Sequence, residues 1–488
     1  MDEHQLQHIL AQTAPAGRID AQKYALSNPP DNFRPNVIAV EDAFFGDSGK
    51  GAVTAKFNVL LNQDRNLLSI RFNGGANAGH ETYLHGKLIV THQVPTGIIC
   101  PGATALISRA MVIHPEDLLF ELDTIQSQFN DALPARLMID DRVVLSLDTH
   151  RALESALNDL STGGHGATKR GIATAYASYY LRIPIMLRDL LSDDWENILR
   201  DHYRLFDALI AGFPDRSLAS THVTTLSAEM GKTRPVGDVN TFIQRLARVR
   251  ERIRPFASSH VYQLLQDAWN DPAVPITFEG AQGAGLDPYH GVYPDVTASR
   301  PMSHNINDAT YNIIRAEDIY YRVAVLKATY MSSVGTRRLP ADQDAETEQW
   351  IQQAFDEKGR STGRVRDIYP ISIPIAQYLR RAAGYRFAVA THLDASRTDT
   401  PISVITRYTD HASGEELPYM PYQDHLDRLS AHAHAFDGWD GQAVKSIKNI
   451  DDLPQAAQRY IQFLSHAIAP LVMVTTGPDI EDYIKWNI

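Results

Sequence analysis

The chain has 488 residues, of which 44% are hydrophobic, and this is sufficient for a large core in one or two domains. Lysine and arginine number 46 against 58 aspartate and glutamate residues. The resulting formal charge of -12 argues against a general nucleic-acid-binding protein, although it leaves room for a local basic phosphate pocket. The single cysteine, Cys100, excludes an intramolecular disulfide and a cysteine-built zinc site. With no apolar run long enough to span a membrane and a polar, acidic start, we expect a soluble, cytoplasmic protein.

Two proline-rich breaks, AQTAPAG and SNPPDNFRP, lie near the start. They predict an N-terminal extension or linker over residues 1–34, followed by one catalytic domain over 35–488. A β-branched run, NVIAVED (36–42), then leads into the glycine-rich FFGDSGKG and the helically spaced AVTAKFNVLL. Strand, glycine-rich loop and helix in this order are typical of an α/β nucleotide-binding unit.

The glycine-rich loop has the residues of an anion site. Small residues before Lys50 would place backbone N–H groups and an ammonium around a phosphate. A carboxylate repels phosphate, so Asp47 belongs there only as a Mg²⁺ ligand or a proton acceptor. Alternatively, Asp47 and Ser48 only form a turn or cap the helix. An unrelated phosphate-loop kinase is disfavoured, because Gly51 lacks the hydroxyl that would hold Mg²⁺.

A second glycine-rich stretch, RFNGGANAGHETYLHGK (71–87), also follows a predicted strand. Its glycines permit close approach of the backbone, and His80 among them can donate a proton to a developing oxyanion. Taken alone, a histidine in such a position is more often structural or simply on the surface.

The rest of the chain alternates between strand and helix patterns. Strands are predicted at LLSIRFN, KLIVTH, RLMID, VPITFEG, VAVLKATY, FAVATHLD, PISVITRY and PLVMVTTG, and helices at HPEDLLFELDTIQSQF, DVNTFIQRLARVRERI and DLPQAAQRYIQFLSHAI. This alternation predicts an α/β fold with a large, mostly parallel sheet flanked by helices. Residues 398–450 form the most irregular segment and are interpreted as excursions from one continuous domain.

Together the two loops resemble those of the adenylosuccinate synthetase family, which carries Gly-Asp-Glu-Gly-Lys-Gly and then Gly-Gly-x-Asn-Ala-Gly-His. The likeness continues in order through VPTGII, GATKRGIATAY, FEGAQGAGLDPYHGVYPDVT, STGRVR, THLD, DLPQAAQRYI and TTGPD, and so covers nearly everything after residue 35. It implies a P-loop-like, GTP-dependent ligase fold. It also implies a reaction of purine biosynthesis, in which L-aspartate is joined to C6 of IMP to give N6-succinyl-AMP, GDP and phosphate.

The resemblance also implies roles for individual residues. Asp47 would remove the N1 proton of the purine and bind Mg²⁺ together with the carbonyl of Gly79, while His80 would act as the acid near O6 and the γ-phosphate. Phosphate and GTP contacts are implied for Gly46, Ser48, Gly49, Lys50, Gly51, His392, Asp394, Thr476 and Gly477. Purine-nucleotide contacts are implied for Asn77, Thr168, Arg182, Gln282, Thr297 and Arg364, with Arg182 reaching the neighbouring site of a homodimer. Thr362, Arg364 and Arg366 of STGRVR would grip the aspartate by charge-assisted, bidentate bonds.

Purely structural interpretations of two of these motifs stay open. STGRVR by itself is more often an ordinary solvated loop, and FAVATHLD is also a buried strand that ends in a turn. If the guanine site is present, the carboxylate of Asp394 would discriminate guanine from adenine, because the wrong base leaves buried polar groups unpaired.

Several positions near the substrates depart from the family pattern. These are Ser48, Ala52, Ala76, Glu81, Asp367 and His392, together with the blocks ASRPMSHN and SVGTRRLPAD. They leave open a paralogue that uses another 6-oxopurine nucleotide such as dGMP or GMP, another amine donor, or ATP, and also a non-catalytic nucleotide-binding homologue. The resemblance implies a smaller residue in place of Asp47 in the phage branch that uses dGMP, so its retention favours a purine with hydrogen at C2. His392 weakens the assignment of GTP and Asp394 supports it.

Overall fold

The structure is a computed structural model that describes residues 33–160, 168–226, 233–333, 335–341, 343–358, 363 and 365–485. Thr362, Arg364 and residues 1–32 of the predicted extension lie outside the described residues. Phe33 packs edge-on against Tyr320, with ring centroids 4.9 Å apart, and Arg34 donates to the carbonyl of Trp269 at 2.8 Å. The last two residues of the predicted extension are therefore attached to the domain that follows them.

The strands are numbered along the chain. They are β1 (Val37–Asp42), β2 (Leu68–Arg71), β3 (His80–Leu84), β4 (Lys87–Thr91), β5 (Thr104–Ile107), β6 (Val112–Ile113), β7 (Arg136–Asp140), β8 (Val144–Leu145), β9 (His222–Thr224), β10 (Thr233–Pro235), β11 (Ala257–Ser258), β12 (Ile276–Glu279), β13 (Tyr321–Lys327), β14 (Met331–Ser333), β15 (Asp367–Tyr369), β16 (Ile371–Ser372), β17 (Phe387–Thr391), β18 (Ile402–Asp410), β19 (Glu416–Leu417), β20 (Leu429–Phe436), β21 (Leu471–Thr475) and β22 (Tyr483–Lys485).

The α-helices are numbered in the same way. They are α1 (Lys50–Leu61), α2 (Pro115–Gln128), α3 (Asp148–Leu160), α4 (Ile172–Tyr180), α5 (Leu187–Leu191), α6 (Trp195–Ala211), α7 (Val239–Ile253), α8 (Val261–Asn270), α9 (Asn305–Ala309), α10 (Ala345–Ala354), α11 (Ile373–Ala383), α12 (Gln423–Leu426) and α13 (Gln455–Ala467). Among the described residues, none of the helices is both long enough and apolar enough to cross a membrane.

A ten-stranded sheet organises the fold, in the order β11-β7-β5-β2-β12-β1-β13-β17-β21-β22. Every neighbouring pair is parallel except the last, β21 with β22. The central strand β1 is buried along its whole length, as expected where helices cover both faces of a parallel sheet. The predicted α/β fold with a large, mostly parallel sheet is confirmed.

Two predicted strands lie outside this sheet. KLIVTH forms β4, which pairs antiparallel with β3, and PISVITRY forms β18, which pairs with β16, β19 and β20 in a separate sheet. The strand predicted at PISVITRY is therefore confirmed, whereas the interpretation of residues 398–450 as irregular is wrong for β20. Side chains of β20 (LSAHAHAF) alternate between exposed and half-buried positions, so this strand lacks the continuous apolar run of the main sheet.

Two large apolar clusters cover the two halves of the sheet. One joins β17 and β21 to α11, α13 and the β18 sheet. The other joins β5 and β7 to α2, α3, α6 and α7. The central strands between them are held from both sides, which fixes the loops at their ends.

Two histidines are buried in the second cluster. The rings of His150 and His202 lie 5.1 Å apart between centroids, and both contact Phe206. His202 shares a hydrogen bond of 2.8 Å with the hydroxyl of Thr149. Burial lowers the pKa of both rings, that of His202 to about 3, so both are neutral in the folded protein.

We expect this pair to destabilise the protein in acid. A histidine whose folded pKa is lowered contributes stability that is present above its ordinary value of 6.5 and is lost as the pH falls towards the folded value. Between pH 6.5 and about 3, the loss of stability due to His202 approaches about 1.4 kcal/mol per pH unit. Urea unfolding of the wild type and His202→Phe at pH 7.5 and pH 4.5 measures it, since phenylalanine keeps the ring but not the proton site. The same pH dependence in both proteins would contradict the assignment.

Candidate active site

The predicted motifs meet at one edge of the main sheet. Strands β2, β12, β1, β13, β17 and β21 lie side by side and parallel, so the loops that follow them share the carboxyl edge. In open parallel sheets this edge is where ligands bind. The contacts described below directly join four of these loops, those that follow β1, β2, β12 and β17.

Asp42, at the end of β1, shapes the first loop from inside. Its buried carboxylate accepts hydrogen bonds from the backbone N–H groups of Phe44 at 3.0 Å, Gly46 at 3.2 Å and Ser48 at 3.1 Å. The ammonium of Lys50 lies 3.8 Å from the same carboxylate. The amides of Gly46 and Ser48, predicted to hold phosphate, are thus bonded to Asp42 in this structure. The two acidic residues that end NVIAVED were the available sequence signal for this role.

Glycines bring the loops into direct contact. A Cβ on Gly51, at the start of α1, would lie 2.5 Å from the Cβ of His80, so the helix closes onto this histidine only because position 51 has no side chain. Gly46, with φ of 95°, lies against Gln282. The carbonyl of Ser48 accepts a 2.8 Å hydrogen bond from the hydroxyl of Thr391 at the end of β17.

His80 is held by a carboxylate from another strand. Its Nδ1 lies 2.5 Å from Oε1 of Glu279, the last residue of β12. The other oxygen of Glu279 accepts from both the backbone N–H and the hydroxyl of Thr96 at 2.7 Å, and Arg71 lies 3.7 Å from Oε1. Burial raises the pKa of Glu279, but the hydrogen bond from His80 and the charge of Arg71 outweigh it and lower the pKa overall. Glu279 is therefore a buried anion that fixes one nitrogen of the ring.

The other nitrogen of His80 is free to face a ligand. Burial, together with the charge of Arg71, lowers the pKa of His80 to about 4, so the ring is neutral at pH 7. A neutral ring that donates Nδ1–H to Glu279 carries its lone pair on Nε2. Among the described residues this buried Nε2 has no hydrogen-bond partner.

Further unpaired polar atoms lie on predicted substrate residues. Within the described ranges, the buried Oδ1 of Asn77 and Oγ1 of Thr476 also lack a hydrogen-bond partner. Buried polar groups are normally paired, so three such atoms on one edge of the sheet indicate a place for a polar ligand. Gln282 and Thr297 belong to a neighbouring hydrogen-bonded group, because Ser299 donates to Gln282 Oε1 at 2.9 Å and lies 3.3 Å from the Thr297 hydroxyl.

The predicted base is paired with a predicted aspartate-binding arginine. Oδ2 of Asp47 lies 2.9 Å from Nε of Arg366. The Asp47 side chain is 41% exposed, whereas that of Arg366 is 10% exposed and bonds through Nη1 to Oε2 of Glu357 at 2.6 Å. Sequence reasoning missed Glu357, because no local pattern marks it as a partner of a loop residue nine positions later.

The predicted guanine site is assembled in part. Asp394 is largely buried, and Lys445 places its ammonium 3.5 Å from Oδ2 of Asp394. Burial raises the pKa of Asp394 even though Lys445 opposes this. Gly477 packs against Asp482 in the loop after β21. Burial and then the charge of Lys327 lower the pKa of His392 to about 4, so this residue carries no charge at pH 7.

Two predicted purine-nucleotide residues lie apart from these contacts. Arg182 follows α4 and is exposed, and Thr168 is half-buried at the edge of a described range. Neither has a side-chain contact with the loops above among the contacts of the described residues. Gly79 directly precedes His80, so its carbonyl is on the loop that faces α1.

Side chains of the types that bind metal ions occur in two places, of which only the first is suited to an ion. Asp47 offers an accessible carboxylate, and Mg²⁺ typically takes one or two carboxylates together with substrate phosphates. Within the described residues, one cluster of three ligand-type side chains also occurs, His114, Glu116 and Asp148. There, Arg234 and Arg245 lie 2.9 and 3.1 Å from Oδ2 of Asp148, so this cluster is an ion-pair network.

Comparison with known proteins gives the family. The model of the family described as adenylosuccinate synthetase matches residues 39–484. The chain belongs to the adenylosuccinate synthetase family. It is 30% identical to the adenylosuccinate synthetase of Myxococcus xanthus, over 91% of this chain and 97% of that protein, and 29% identical, with the same coverage, to that of Oleidesulfovibrio alaskensis. The protein is accordingly a ligase.

Solved structures share the fold. The fully ligated adenylosuccinate synthetase of Plasmodium falciparum matches with a TM-score of 0.80 and 23% identity, over 93% of this chain and all of that one. The succinoaminodeoxyadenylate synthetase of cyanophage S-2L, solved with dGMP and with dATP as an energy donor, matches with a TM-score of 0.55 and 16% identity, over 93% of this chain and 96% of that chain. Both identities are low enough that these matches speak for the fold alone.

The contact between Gly51 and His80 leads to a testable expectation. Gly51→Ala would force α1 and His80 apart, which we expect to cost about 1–3 kcal/mol in the free energy of unfolding. Gly212→Ala is the matched control, because Gly212 has φ of -72° and only the carbonyl of Leu209 nearby. The control should stay within about 0.5 kcal/mol of the wild type. Urea unfolding of the wild type and the two variants measures these free energies. Equal stability of the two variants would contradict the contact between Gly51 and His80.

Proposed function

We propose that this ligase joins L-aspartate to C6 of IMP at the expense of GTP and releases N6-succinyl-AMP, GDP and phosphate. The observation that carries the proposal is the meeting of Asp47, His80 and Arg366 at one sheet edge. There Nε2 of His80 is buried and, among the described residues, without a hydrogen-bond partner. Removal of the N1 proton moves negative charge to O6, which then attacks the γ-phosphate, and the amino group of aspartate displaces phosphate.

The side chains would divide this work. Asp47 has an exposed carboxylate that can accept the N1 proton once it is released from Arg366. His80 is neutral without substrate. The negative charge of the phosphates and of O6 would raise the proton affinity of Nε2, and Glu279 would hold the protonated ring in place. Lys50 would add a fixed positive charge beside the phosphates.

Magnesium fits the donor set of this site. Asp47 and the carbonyl of Gly79 are oxygen ligands that would hold the ion together with substrate phosphates. When bound, the ion would spread the charge of the transferring phosphoryl group.

The identity of the nucleotides rests on individual residues. Asp394 accepts hydrogen bonds only, which suits the N1–H and 2-amino donors of guanine and supports GTP. The relative from cyanophage S-2L was solved with dGMP and dATP, so a paralogue with another 6-oxopurine, another amine donor or ATP is the alternative. A neutral His392 is the specific feature in favour of that alternative. The cytoplasmic location expected from the composition stays a prediction.

A homodimer is part of the proposal. Exposed apolar side chains surround Arg182, including Tyr180 at 78% and Leu181 at 68% exposure. Exposed apolar side chains favour contact with a partner, and a symmetric partner would bring Arg182 to the neighbouring site.

The direct test is the reaction itself. Incubation with IMP, GTP, Mg²⁺ and L-aspartate should yield N6-succinyl-AMP by mass spectrometry. Asp47→Asn and His80→Asn should each lower kcat by about 10²–10⁴-fold, because each removes a proton-transfer group. Asp64→Asn, in an exposed turn after α1, is the matched control and should retain activity.

A panel of purine monophosphates, GTP or ATP, and amino acids then separates the alternatives. No product from IMP, with turnover of another 6-oxopurine, would favour the paralogue. No product from any combination would favour the non-catalytic homologue.

The shared site is tested by mixing inactive variants. Arg182→Ala and Asp47→Asn should each be inactive alone. In a mixed dimer, one site combines an intact Asp47 with the partner's intact Arg182, so subunit exchange should restore about a quarter of wild-type activity. An inactive mixture, with exchange verified by native mass spectrometry, would argue against a contribution from the neighbouring subunit.

A further inference from the structure

One guanidinium in the site lies between two carboxylates. Arg366 contacts Glu357 through Nη1 at 2.6 Å and Asp47 through Nε at 2.9 Å. The two contacts differ in quality. The first is a buried hydrogen bond, whereas Nε, within the described residues, has no partner in hydrogen-bond geometry and is held to Asp47 by charge and proximity. The contact with Asp47 is therefore the exchangeable one.

Glu357 is the fixed partner in this arrangement. It is 1% exposed, and its Oε1 accepts from the hydroxyl of Tyr330 at 2.6 Å and pairs with the ammonium of Lys327 at the end of β13. The backbone N–H of Arg366 also donates to the carbonyl of Glu357 at 2.9 Å. Glu357 thus anchors Arg366, the last residue of STGRVR, to the end of β13.

Charge balance explains why a substrate carboxylate would compete with Asp47 for Arg366. Lys327 and Arg366 are buried cations, and Glu357 and Asp47 are the carboxylates that neutralise them. A substrate dicarboxylate brings further negative charge to the Nε edge of Arg366, which Asp47 already occupies. The incoming carboxylate must displace Asp47 or share the arginine with it.

We propose that Asp47 and the amino-acid substrate compete for Arg366, and that Glu357 is the positioning residue that holds Arg366 for both. This rests on the proposed function, since the competitor is the carboxylate of L-aspartate. Binding of the amino acid would then free Asp47 for its work on the purine. The carboxylate of Asp47 would be released from Arg366 only when the attacking amine is in place.

Binding measurements test this without turnover. L-Aspartate is titrated by calorimetry into protein that holds IMP and GDP in EDTA, so that neither phosphoryl transfer nor metal binding at position 47 contributes. Asp47→Asn, although inactive, should bind L-aspartate about two- to fivefold more tightly, as expected for loss of one partly exposed ion pair. Glu357→Gln should bind it at least about tenfold more weakly, because a buried pair is broken.

The double variant separates competition from a general charge effect. If the gain passes through Arg366, Asp47→Asn should give little or no gain in the Glu357→Gln background, a coupling that a purely structural role would not produce. Unchanged or weaker binding to Asp47→Asn, the same gain in both backgrounds, or no binding to any of the proteins would overturn the proposal. Binding changes as expected, in a protein that makes no product from IMP, would instead overturn the proposed function alone.

Discussion

The arrangement of the site depends on the buried carboxylate of Asp42. It accepts three backbone N–H groups of the loop after β1 and faces Lys50, so an internal carboxylate holds this loop in shape. The other contacts follow from this shape. Gly46 lies against Gln282, Ser48 is bonded to Thr391, and α1 begins at the point where Gly51 can pack on His80. A buried carboxylate that accepts three N–H groups and faces an ammonium is held firmly in place. The loops of β2, β12 and β17 are therefore positioned relative to β1 before substrate arrives.

Much of the fold could be predicted because a parallel sheet buries its strands on both faces. VIAV, VAVLK and FAVAT are continuous apolar runs for this reason, and their order alternates with amphipathic helices. The pairing of β18 with β20 could not be predicted in the same way. β20 contributes His432 and His434 to partly exposed positions, and its register is set by pairing with β18 across an intervening segment. A strand of this kind, with few large apolar side chains and a distant partner, leaves no local signal.

The site shows the same division between local and distant information. Asp47, Lys50 and His80 lie in glycine-rich loops that directly follow strands, and such loops have a recognisable composition. Their partners lie on elements that are distant in the sequence. Glu279 lies 199 residues from His80, and Glu357 belongs to a turn with no motif of its own. Charge pairing between loops is created by the sheet order, which places β12 beside both β1 and β2. The sequence could therefore name the groups proposed to react, while their charged partners became visible only in three dimensions.

The segment between β20 and α13 also bears on the identity of residue 392. His392 departs from the family pattern, and its ring is neutral because it is buried near Lys327. A positive charge is nonetheless present next to Asp394, supplied by Lys445 from the segment between β20 and α13. An ammonium on a different element can neutralise the same carboxylate, and it leaves the accepting oxygens of Asp394 available for a base. Recognition by a buried acceptor depends on the pairing of that acceptor, not on which element carries the counter-ion. With a neutral histidine at position 392, Lys445 supplies the positive charge beside Asp394, the carboxylate proposed to distinguish a base with two adjacent donors from one without them.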